Sequence, residues 1–263
     1  MPEVRVNDAR IAWQAEGPTS APVLMLSNSL GTSMNLWAPQ IATLSRHFRI
    51  VRYDTRGHGR STAPARDYSI DELGRDAIAV LDAAGVDRAH VCGVSLGGLT
   101  AMWLGIHAAD RVGSLVLANT SARVGTKDMW EQRIQQVRTV GMVSIADLLM
   151  PRWFSDAFRA SSLQIVADFR SMVASCDPNG YAGCCAALRD ADLRPLLARI
   201  TALSLVIVGR HDPSTPPADG EAIRNAIPGA LLVALDSAHL SNVECAAAFS
   251  NYVLSFLQGR LDG

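Results

Sequence analysis

The sequence has few charged residues and no excess of either sign. Only 19% of its 263 residues are charged, and the formal net charge is −1 at pH 7. This balance argues against nucleic acid and anionic membranes as partners, since both attract strongly basic proteins. The chain also lacks an apolar stretch of transmembrane length, and its first residues, MPEVRVNDARIAWQ, lack the basic start and apolar run of a signal peptide. We therefore expect a soluble, cytoplasmic protein.

The cysteines show no pattern typical of disulfides or of metal ligands. There are five, and they include neither a C-x-x-C pair nor zinc-ligand spacing: Cys92, Cys176, Cys184, Cys185 and Cys245. Most of them lie among apolar or small residues. We expect reduced thiols, as in a cytosolic protein, and no metal site.

Short apolar runs alternate with helical segments along most of the chain, which is 49% hydrophobic. VRVNDARIAW predicts an opening hairpin that turns at Asn7-Asp8. Six continuous runs are typical of strands buried on both faces, as in a parallel sheet: PVLMLSNS, FRIVRYD, AHVCGVS, GSLVLAN, LSLVIVGRHD and ALLVALDSAH. Helices are predicted between them, for example after Ser69 or Asp71 and up to Gly85, and NVECAAAFSNYVLSFLQG predicts a last helix that ends at Gly259. The expected fold class is α/β, with a mostly parallel sheet and helices on both faces.

The alternation breaks between about Ser121 and Pro195. Strand patterns vanish there and several helical patterns follow one another, from DMWEQRIQQVRTVG to GYAGCCAALRD. We therefore expect a helical cap at residues 122–195, inserted into a core made of residues 1–121 and 196–263.

The segment VCGVSLGGLTAMW places a serine at a tight turn. Residues Gly93 to Gly97 match G-x-S-x-G, with Gly98 following. The pattern alone is common, but a predicted strand precedes it and a predicted helix follows it, as a nucleophile elbow requires. A serine at such a turn adopts strained backbone angles, and its neighbours two residues away must lack side chains. The alternative is that the glycines only allow close packing between strand and helix.

A serine nucleophile needs a base, and the base needs an orienting carboxylate. In this architecture the order along the chain is serine, acid, histidine. His239 follows the last predicted strand, and Asp212 ends the strand before it, at the sheet edge where α/β sites assemble. We therefore predict a triad of Ser95, Asp212 and His239. The competing residues are assigned other places: His107 inside the helix after the elbow, and His211 and Asp236 in turns.

Ester chemistry also needs N–H donors for the oxyanion. They usually come from the residue after the nucleophile and from a loop after an early strand. Here these are the backbone N–H groups of Leu96 and of Leu30 in LSNSLGTS. The alternative for SNSLG is an ordinary polar turn.

Taken together, these motifs resemble those of the α/β-hydrolase superfamily and, more closely, those of the 3-oxoadipate enol-lactonase family. The resemblance extends over most of the chain and is weakest in the cap. It rests on the segments SNSLGTS, VRYDTRGHGRS, GVSLGG, NTSARVGT, GRHDPSTPP and SAHLSNVE. It implies a small anionic lactone as substrate, whose ring Ser95 would attack while His239 takes its proton. It also implies 3-oxoadipate as product and no metal or organic cofactor.

An anionic substrate in an apolar pocket needs a cation or hydrogen bonds, because an unpaired buried charge is strongly unfavourable. Arg133 lies about one helical turn after Trp130, so the two residues share a helix face. Trp153 beside Arg152 forms a second candidate pair. We therefore expect substrate contacts from Arg133, Trp130 and Trp153. Neutral contacts are expected from Ser29 and Asn28. Alternatively, the arginines face water and the tryptophans belong to the cap core.

Other functions remain open at this point. A carboxylesterase, a perhydrolase-like esterase and a carbon–carbon bond hydrolase share the triad, so the triad does not choose among them. A ligand receptor on a hydrolase scaffold can also retain the triad. Haloalkane dehalogenases use an aspartate as nucleophile, and this chain has Ser95 in that place. The sequence indicates no oligomeric state.

Overall fold

The computed structural model describes residues 1–261 and is organised around an eight-stranded sheet. The strand order is β1-β2-β4-β3-β5-β6-β7-β8. β1 and β2 run antiparallel to their neighbours, and β3 to β8 are parallel to one another. The strands are β1 (Glu3–Val6), β2 (Ala9–Glu16), β3 (Val23–Ser27), β4 (Arg49–Tyr53), β5 (Ala89–Val94), β6 (Val112–Ala118), β7 (Leu203–Gly209) and β8 (Leu231–Leu235). The predicted α/β class with a mostly parallel sheet is confirmed.

The opening hairpin forms where the alternating pattern predicts it. Val4 faces Ile11 across β1 and β2, and Asn7 adopts φ 53° in the turn between them. Asparagine tolerates this left-handed conformation better than most residues. The hairpin extends the sheet at one edge, because β2 also pairs with β4, in antiparallel orientation.

Helices connect the parallel strands. They are α1 (Ala38–Leu44), α2 (Ile70–Ala83), α3 (Leu96–His107), α4 (Lys127–Val140), α5 (Met142–Trp153), α6 (Asp156–Ser161), α7 (Leu163–Ala174), α8 (Pro178–Asp190), α9 (Pro217–Ala226), α10 (Ser241–Glu244) and α11 (Ala246–Leu257). α2 begins after Ser69, whose side chain and that of Glu72 form a capping box. None of the helices described within residues 1–261 has the length and apolar character needed to cross a bilayer.

The C-terminal segment differs from the sequence prediction. One helix was expected there, but the chain forms α10 and α11, which are separated at Cys245 (φ −117°, ψ 43°). Glu244, the last residue of α10, accepts hydrogen bonds from Ala238 N–H (3.1 Å) and Ser155 N–H (3.2 Å). These tertiary contacts outweigh the local preference for one continuous helix.

α3 lies at the centre of the fold and positions the end of β5. Every residue from Leu96 to Ile106 is buried, and the helix packs against β3, β5 and β6. α2 also approaches it closely: a Cβ at Gly74 would lie 1.9 Å from the Trp103 ring. α3 is therefore packed against strands and against α2.

The segment between β6 and β7 contains α4 to α8 and, within the described residues, no strand. α8 rests on the turn after β4, where Gly180 and Gly57 meet backbone to backbone. A Cβ at Gly57 would lie 2.4 Å from Gly180 Cα. Tyr68 N–H also donates to Gly183 O (3.1 Å). The helical segment is thus packed closely against the sheet-forming part of the chain.

Candidate active site

Ser95 occupies the sharp turn between β5 and α3. Its backbone angles are φ 58° and ψ −116°, a conformation that L-residues rarely adopt. The flanking glycines allow the turn, because a Cβ at Gly93 would lie 2.1 Å from Gly97 O and a Cβ at Gly97 would lie 2.0 Å from Ser27 O. Strain of this kind is retained where the surroundings enforce it, and it is frequent at functional sites.

The backbone of Ser95 is tied down while its hydroxyl is free. Ser95 N–H donates to Ala118 O (3.0 Å), and the Thr120 hydroxyl donates to Ser95 O (2.7 Å). The side chain is half-buried, and its hydroxyl has no hydrogen-bond partner among residues 1–261. The hydroxyl is therefore available to a base or to a bound molecule.

Asp212 and His239 form a buried pair beyond the carboxyl ends of β7 and β8. His239 Nδ1 lies 2.8 Å from Asp212 Oδ2, and each residue is 3% exposed. Since an ionised carboxylate can only accept, the network assigns the proton to Nδ1 and leaves Nε2 as the basic nitrogen. Thr215 Oγ1 also donates to Asp212 Oδ2 (2.8 Å), and Ser214 N–H donates to Oδ1 (2.8 Å).

The environment keeps Asp212 ionised. Burial by itself would raise the pKa of Asp212, but the nearby His239 ring, its hydrogen bond and the Thr215 and Asn119 donors together lower that pKa to about 2. At neutral pH the carboxylate is therefore charged. It can orient the imidazole and stabilise a positive charge on it.

Asn119, which the sequence analysis missed, supports this carboxylate. Asn119 Nδ2 donates to Asp212 Oδ2 (3.1 Å) and to Ala238 O (3.2 Å), and the Ser241 hydroxyl hydrogen-bonds to Asn119 Oδ1. The residue is 1% exposed and adopts φ 44° immediately after β6. An asparagine at the carboxyl end of a predicted parallel strand was the available signal.

The other histidines downstream of the elbow lie elsewhere. His211 and Asp236 form an exposed pair (Nε2 to Oδ1, 2.7 Å), in agreement with the turn roles expected for them. His107 is the last residue of α3; it is exposed and stacks on Trp103 at 5.0 Å between ring centroids. Its place in this helix agrees with the prediction.

Ser95 and His239 line one cavity of about 290 Å³ at the contact between the helical segment and the sheet. Most of the wall is apolar, with Leu30, Val124, Met129, Leu148, Leu149 and Leu188 among its residues. Two larger grooves, of about 800 and 850 Å³, lie on the surface and contain neither Ser95 nor His239. The small cavity is therefore the one that brings a possible nucleophile and a possible base together.

Two arginines of the helical segment reach this cavity. Arg133 Nη1 donates to the Tyr181 hydroxyl (3.2 Å), and Arg152 Nη2 donates to Pro213 O (3.0 Å). Both are half-buried, and within residues 1–261 neither forms an ion pair. The cavity thus contains two cations without acidic partners. Tyr181 also lines it and was missed, because the pattern around it indicates only a helix.

The expected tryptophans also line the cavity. Trp130 is 7% exposed and Trp153 is 2% exposed, so both also belong to the packed interior. The Trp130 indole N–H donates to Val124 O (2.7 Å), whereas the Trp153 indole N–H has no partner among the described residues. Of the two, only Trp153 retains a free donor.

The loop after β3 supplies a free backbone donor. Within residues 1–261 Leu30 N–H has no hydrogen-bond partner, and Leu96 N–H lies in the first turn of α3, where such groups lack intrahelical partners. Leu30 and Ser29 line the cavity. Asn28 does not: it is fully buried, its Nδ2 donates to Tyr53 O (2.7 Å) and its Oδ1 accepts from Trp37 Nε1 (2.9 Å). The substrate contact expected for Asn28 is corrected accordingly, because its side-chain amide is already used in the core.

No group of three or more histidine, cysteine, aspartate or glutamate side chains in the described part of the chain could hold a metal ion. The five cysteines are unpaired, and all but Cys245 are buried. The chemistry that this geometry allows is nucleophilic attack by a hydroxyl, assisted by an imidazole and a carboxylate, on a small molecule in the cavity.

The comparisons with known proteins agree with this geometry. The family model described as alpha/beta hydrolase fold matches residues 22–245. The chain is 42% identical to 3-oxoadipate enol-lactonase 2 of Acinetobacter baylyi, over 94% of this chain and 92% of that protein. The crystal structure of the enol-lactonase from Burkholderia xenovorans is similar at a TM-score of 0.96 and 42% identity, covering 98% of this chain and all of that one. A hydrolase structure from Pseudomonas aeruginosa reaches 0.95 at 44% identity, with 97% of each chain covered.

Proposed function

Because the chain belongs to the alpha/beta hydrolase fold family, we propose that it hydrolyses 3-oxoadipate enol-lactone to 3-oxoadipate, a step of aromatic degradation through the β-ketoadipate pathway. One observation carries the proposal: the cavity that contains Ser95 and His239 also contains two arginines without acidic partners. A neutral ester gives no reason for such cations, whereas a lactone with an acetate arm does. The 42% identity to proteins named enol-lactonases supports the same substrate.

In the proposed reaction Ser95 Oγ attacks the ring carbonyl carbon while His239 Nε2 takes the hydroxyl proton. Asp212 holds the imidazole through Nδ1 and stabilises the imidazolium. The carbonyl oxygen becomes an oxyanion that the N–H groups of Leu30 and Leu96 stabilise. Loss of one such donor typically costs about 3 kcal/mol of transition-state stabilisation.

The tetrahedral intermediate then expels the ring oxygen, which takes the proton from His239 and leaves as an enol. An enol is a better leaving group than an ordinary alkoxide, and its conversion to the ketone draws the reaction forward. The acyl group stays on Ser95 until water, deprotonated by His239, attacks it and releases 3-oxoadipate. These proposed reaction steps require no metal or organic cofactor.

The acetate arm is proposed to bind to Arg133, with Arg152 as a second cation on the same cavity. Trp130 and Trp153 supply apolar walls, and the free Trp153 N–H and the Ser29 hydroxyl supply neutral contacts. A carboxylate that leaves water for this cavity needs such partners, because burying a charge without them is strongly unfavourable. The free cations thus provide selectivity for an anion.

This assignment divides the chain into two functional parts. We propose a hydrolase core of residues 1–121 and 196–263, which supplies Ser95, Asp212 and His239, and a cap of residues 122–195, which supplies the substrate contacts. Unpaired, mostly buried cysteines favour a reducing compartment, so we place the enzyme in the cytoplasm.

A direct competition between substrates tests the proposal. The purified protein is offered the enol lactone, p-nitrophenyl acetate and a vinylogous diketone acid. We expect kcat/KM for the lactone to exceed both others by about a hundredfold or more, because only the lactone combines the anion with an ester carbonyl. Lactone turnover no faster than that of the simple ester would indicate a carboxylesterase. A higher kcat/KM for the diketone acid would indicate a carbon–carbon bond hydrolase.

Ser95→Ala serves as the control for the nucleophile. Turnover should fall by about 10⁴-fold or more, as for loss of a serine nucleophile elsewhere. The circular dichroism spectrum and the affinity for 3-oxoadipate should stay close to those of the parent. A parent protein that completes one slow cycle and keeps its ligand attached would instead indicate a receptor.

A further inference from the structure

We propose that His58 is a positioning residue that holds the Leu30 donor in place through the next peptide group, Gly31. The inference rests on the proposed use of Ser95 and of Leu30 N–H, and not on the identity of the lactone. His58 lies in the turn after β4, does not line the cavity and contacts no reacting atom. Its effect would pass through the loop alone.

The contact itself is specific. His58 Nε2 accepts a hydrogen bond from Gly31 N–H (2.9 Å), and His58 Nδ1 lies 3.2 Å from Arg56 O. Gly31 N–H can only donate and Arg56 O can only accept, so the ring is neutral, with its proton on Nδ1. The ring is 1% exposed, and burial lowers the pKa of His58 to about 4, which favours the same neutral form.

The loop that contains Leu30 is held by its own turn, in which Thr32 N–H (3.2 Å) and the Thr32 hydroxyl (2.8 Å) donate to Ser29 O, and by contacts from outside the loop. β3 ends at Ser27. The loop is attached to the last residue of β4 by the bond from Asn28 Nδ2 to Tyr53 O, and to the segment after β4 by two bonds, Gly31 N–H to His58 and Met34 N–H to Asp54 Oδ1 (2.7 Å). The bond from His58 is the one nearest to Leu30. Fixing the plane of the Leu30–Gly31 peptide restricts the backbone rotation that would turn Leu30 N–H away from the cavity.

The opposite side of Gly31 is covered by the helical segment. The Cys176 thiol donates to Gly31 O (S to O, 3.4 Å), and a Cβ at Gly31 would lie 3.2 Å from the Tyr181 ring and 3.6 Å from the Trp153 ring. Gly31 has φ +82°, a conformation that glycine adopts without strain. His58 therefore holds the Leu30–Gly31 peptide, directly after the proposed oxyanion donor, and Cys176 holds the following Gly31–Thr32 peptide.

His58 is itself held firmly. In the same turn Asp54 Oδ2 accepts from Arg60 N–H (2.9 Å), and the buried Arg56 guanidinium donates twice to Asp76, at 2.6 Å each. A histidine on so well-supported a turn is a rigid acceptor. Preorganised donors need such rigid support, because their advantage lies in not reorganising during the reaction.

Three substitutions at His58 separate the effect of the hydrogen-bond acceptor from the effect of the rest of the side chain. His58→Leu fills the space without an acceptor, and His58→Asn keeps an amide that is too short to reach Gly31. His58→Gln places a carbonyl oxygen near the position of Nε2. The substrate is p-nitrophenyl acetate, whose hydrolysis needs Ser95 and an oxyanion donor but no recognition of the lactone. His90→Asn, at the start of β5 and at the far end of that strand from Ser95, is the matched control.

If His58 positions the donor, the Leu and Asn variants should lower kcat/KM for p-nitrophenyl acetate about tenfold to a hundredfold, part of the effect of losing a donor outright. The dissociation constant of phenylboronic acid, which forms a tetrahedral adduct on a serine oxygen, should rise by the same factor. The dissociation constant of 3-oxoadipate should change less than twofold. His58→Gln should recover most of the activity, and His90→Asn should resemble the parent.

Three results would overturn the inference: activity of the Leu and Asn variants within twofold of the parent, equal weakening of phenylboronic acid and 3-oxoadipate binding, or a Gln variant as impaired as the Asn variant. If the Leu variant does not fold, the comparison of Asn with Gln decides. A parent that hydrolyses the ester but not the lactone would contradict the proposed substrate, while the His58 comparison would still stand.

Discussion

Among single residues, Arg133 and Arg152 distinguish this cavity from an ordinary ester site. An arginine on a helix surface normally faces water or pairs with an acid, as Arg138 on the same helix pairs with Asp67 at 3.5 Å. Arg133 instead contacts the neutral Tyr181 hydroxyl, and both residues line the cavity that contains Ser95. This lack of an acidic partner is the reason for the proposed role of Arg133 in binding an anionic part of the substrate.

Arg133→Ala should therefore affect anionic and neutral substrates differently. A hydrogen bond to a charged group contributes about 1.5–3 kcal/mol, so kcat/KM for the enol lactone should fall about ten- to a hundredfold. Hydrolysis of p-nitrophenyl acetate should stay within threefold, as should both activities of the exposed-site control Arg138→Ala. If both substrates lose activity equally after Arg133→Ala, the residue supports Tyr181 and the anion binds elsewhere.

Among the elements, the turn from β5 into α3 imposes the strictest demand on the sequence. The apolar run before Ser95 and the glycines around it were enough to predict a strand, a turn and a helix, because only residues without side chains fit at Gly93 and Gly97. Elements with weaker patterns were not predicted: α1 and α9 are short, and the break between α10 and α11 results from the tertiary contacts of Glu244. That Ser95, Asp212 and His239 act together stays a prediction.

Gly97→Ala tests the elbow. Its Cβ would lie 2.0 Å from the Ser27 carbonyl oxygen, which is backbone, so α3 and β3 would have to separate. We expect the free energy of unfolding, measured by urea denaturation, to fall by about 3 kcal/mol or more. Activity should fall as well, since Ser27 adjoins the Leu30 loop.

Gly105→Ala in the same helix is the matched control. Its Cβ would lie 2.8 Å from the end of the Leu115 side chain, which can move, and at ordinary contact distance, 3.4 Å, from Ile200. Alanine also favours a helix interior by about 1 kcal/mol, so stability should change by less than about 1 kcal/mol. Equal losses from the two substitutions would mean that the elbow places no special demand on Gly97.

For the whole molecule, buried His58 links stability to pH. Its pKa is about 4 in the folded chain, because burial disfavours the charged ring, against about 6.5 in an unfolded chain. Between these values the unfolded state binds a proton that the folded state does not bind. Stability from this group is therefore fully present above pH 6.5 and is lost as the pH falls towards 4.

The expected size follows from the pKa difference. Between pH 7 and pH 4.5 the parent should lose about 2 kcal/mol of unfolding free energy that His58→Gln does not lose. Urea denaturation of both proteins at the two pH values gives this difference directly, and it cancels the contributions of the carboxylates that they share. An identical pH dependence in the two proteins would show that His58 does not remain neutral in the fold.

The sequence by itself determined the features that depend on local pattern. Continuous apolar runs predicted the parallel strands, the pattern from about Ser121 to Pro195 predicted helices, and the elbow glycines and the order of serine, acid and histidine indicated hydrolase chemistry. These features could be predicted because the periodicity of apolar residues, the order of residues along the chain and the steric limits at glycines are all visible in the sequence.

Only the tertiary structure decided which distant groups meet. Arg152 and Tyr181 line the cavity together with Arg133. Asn119 donates a hydrogen bond to Asp212, and the Asn28 amide is hydrogen-bonded in the core. His58 accepts a hydrogen bond from Gly31 N–H. None of these contacts could be predicted from residue spacing, because each joins residues on different elements. Their distances depend on how the sheet, α3 and the helical segment pack.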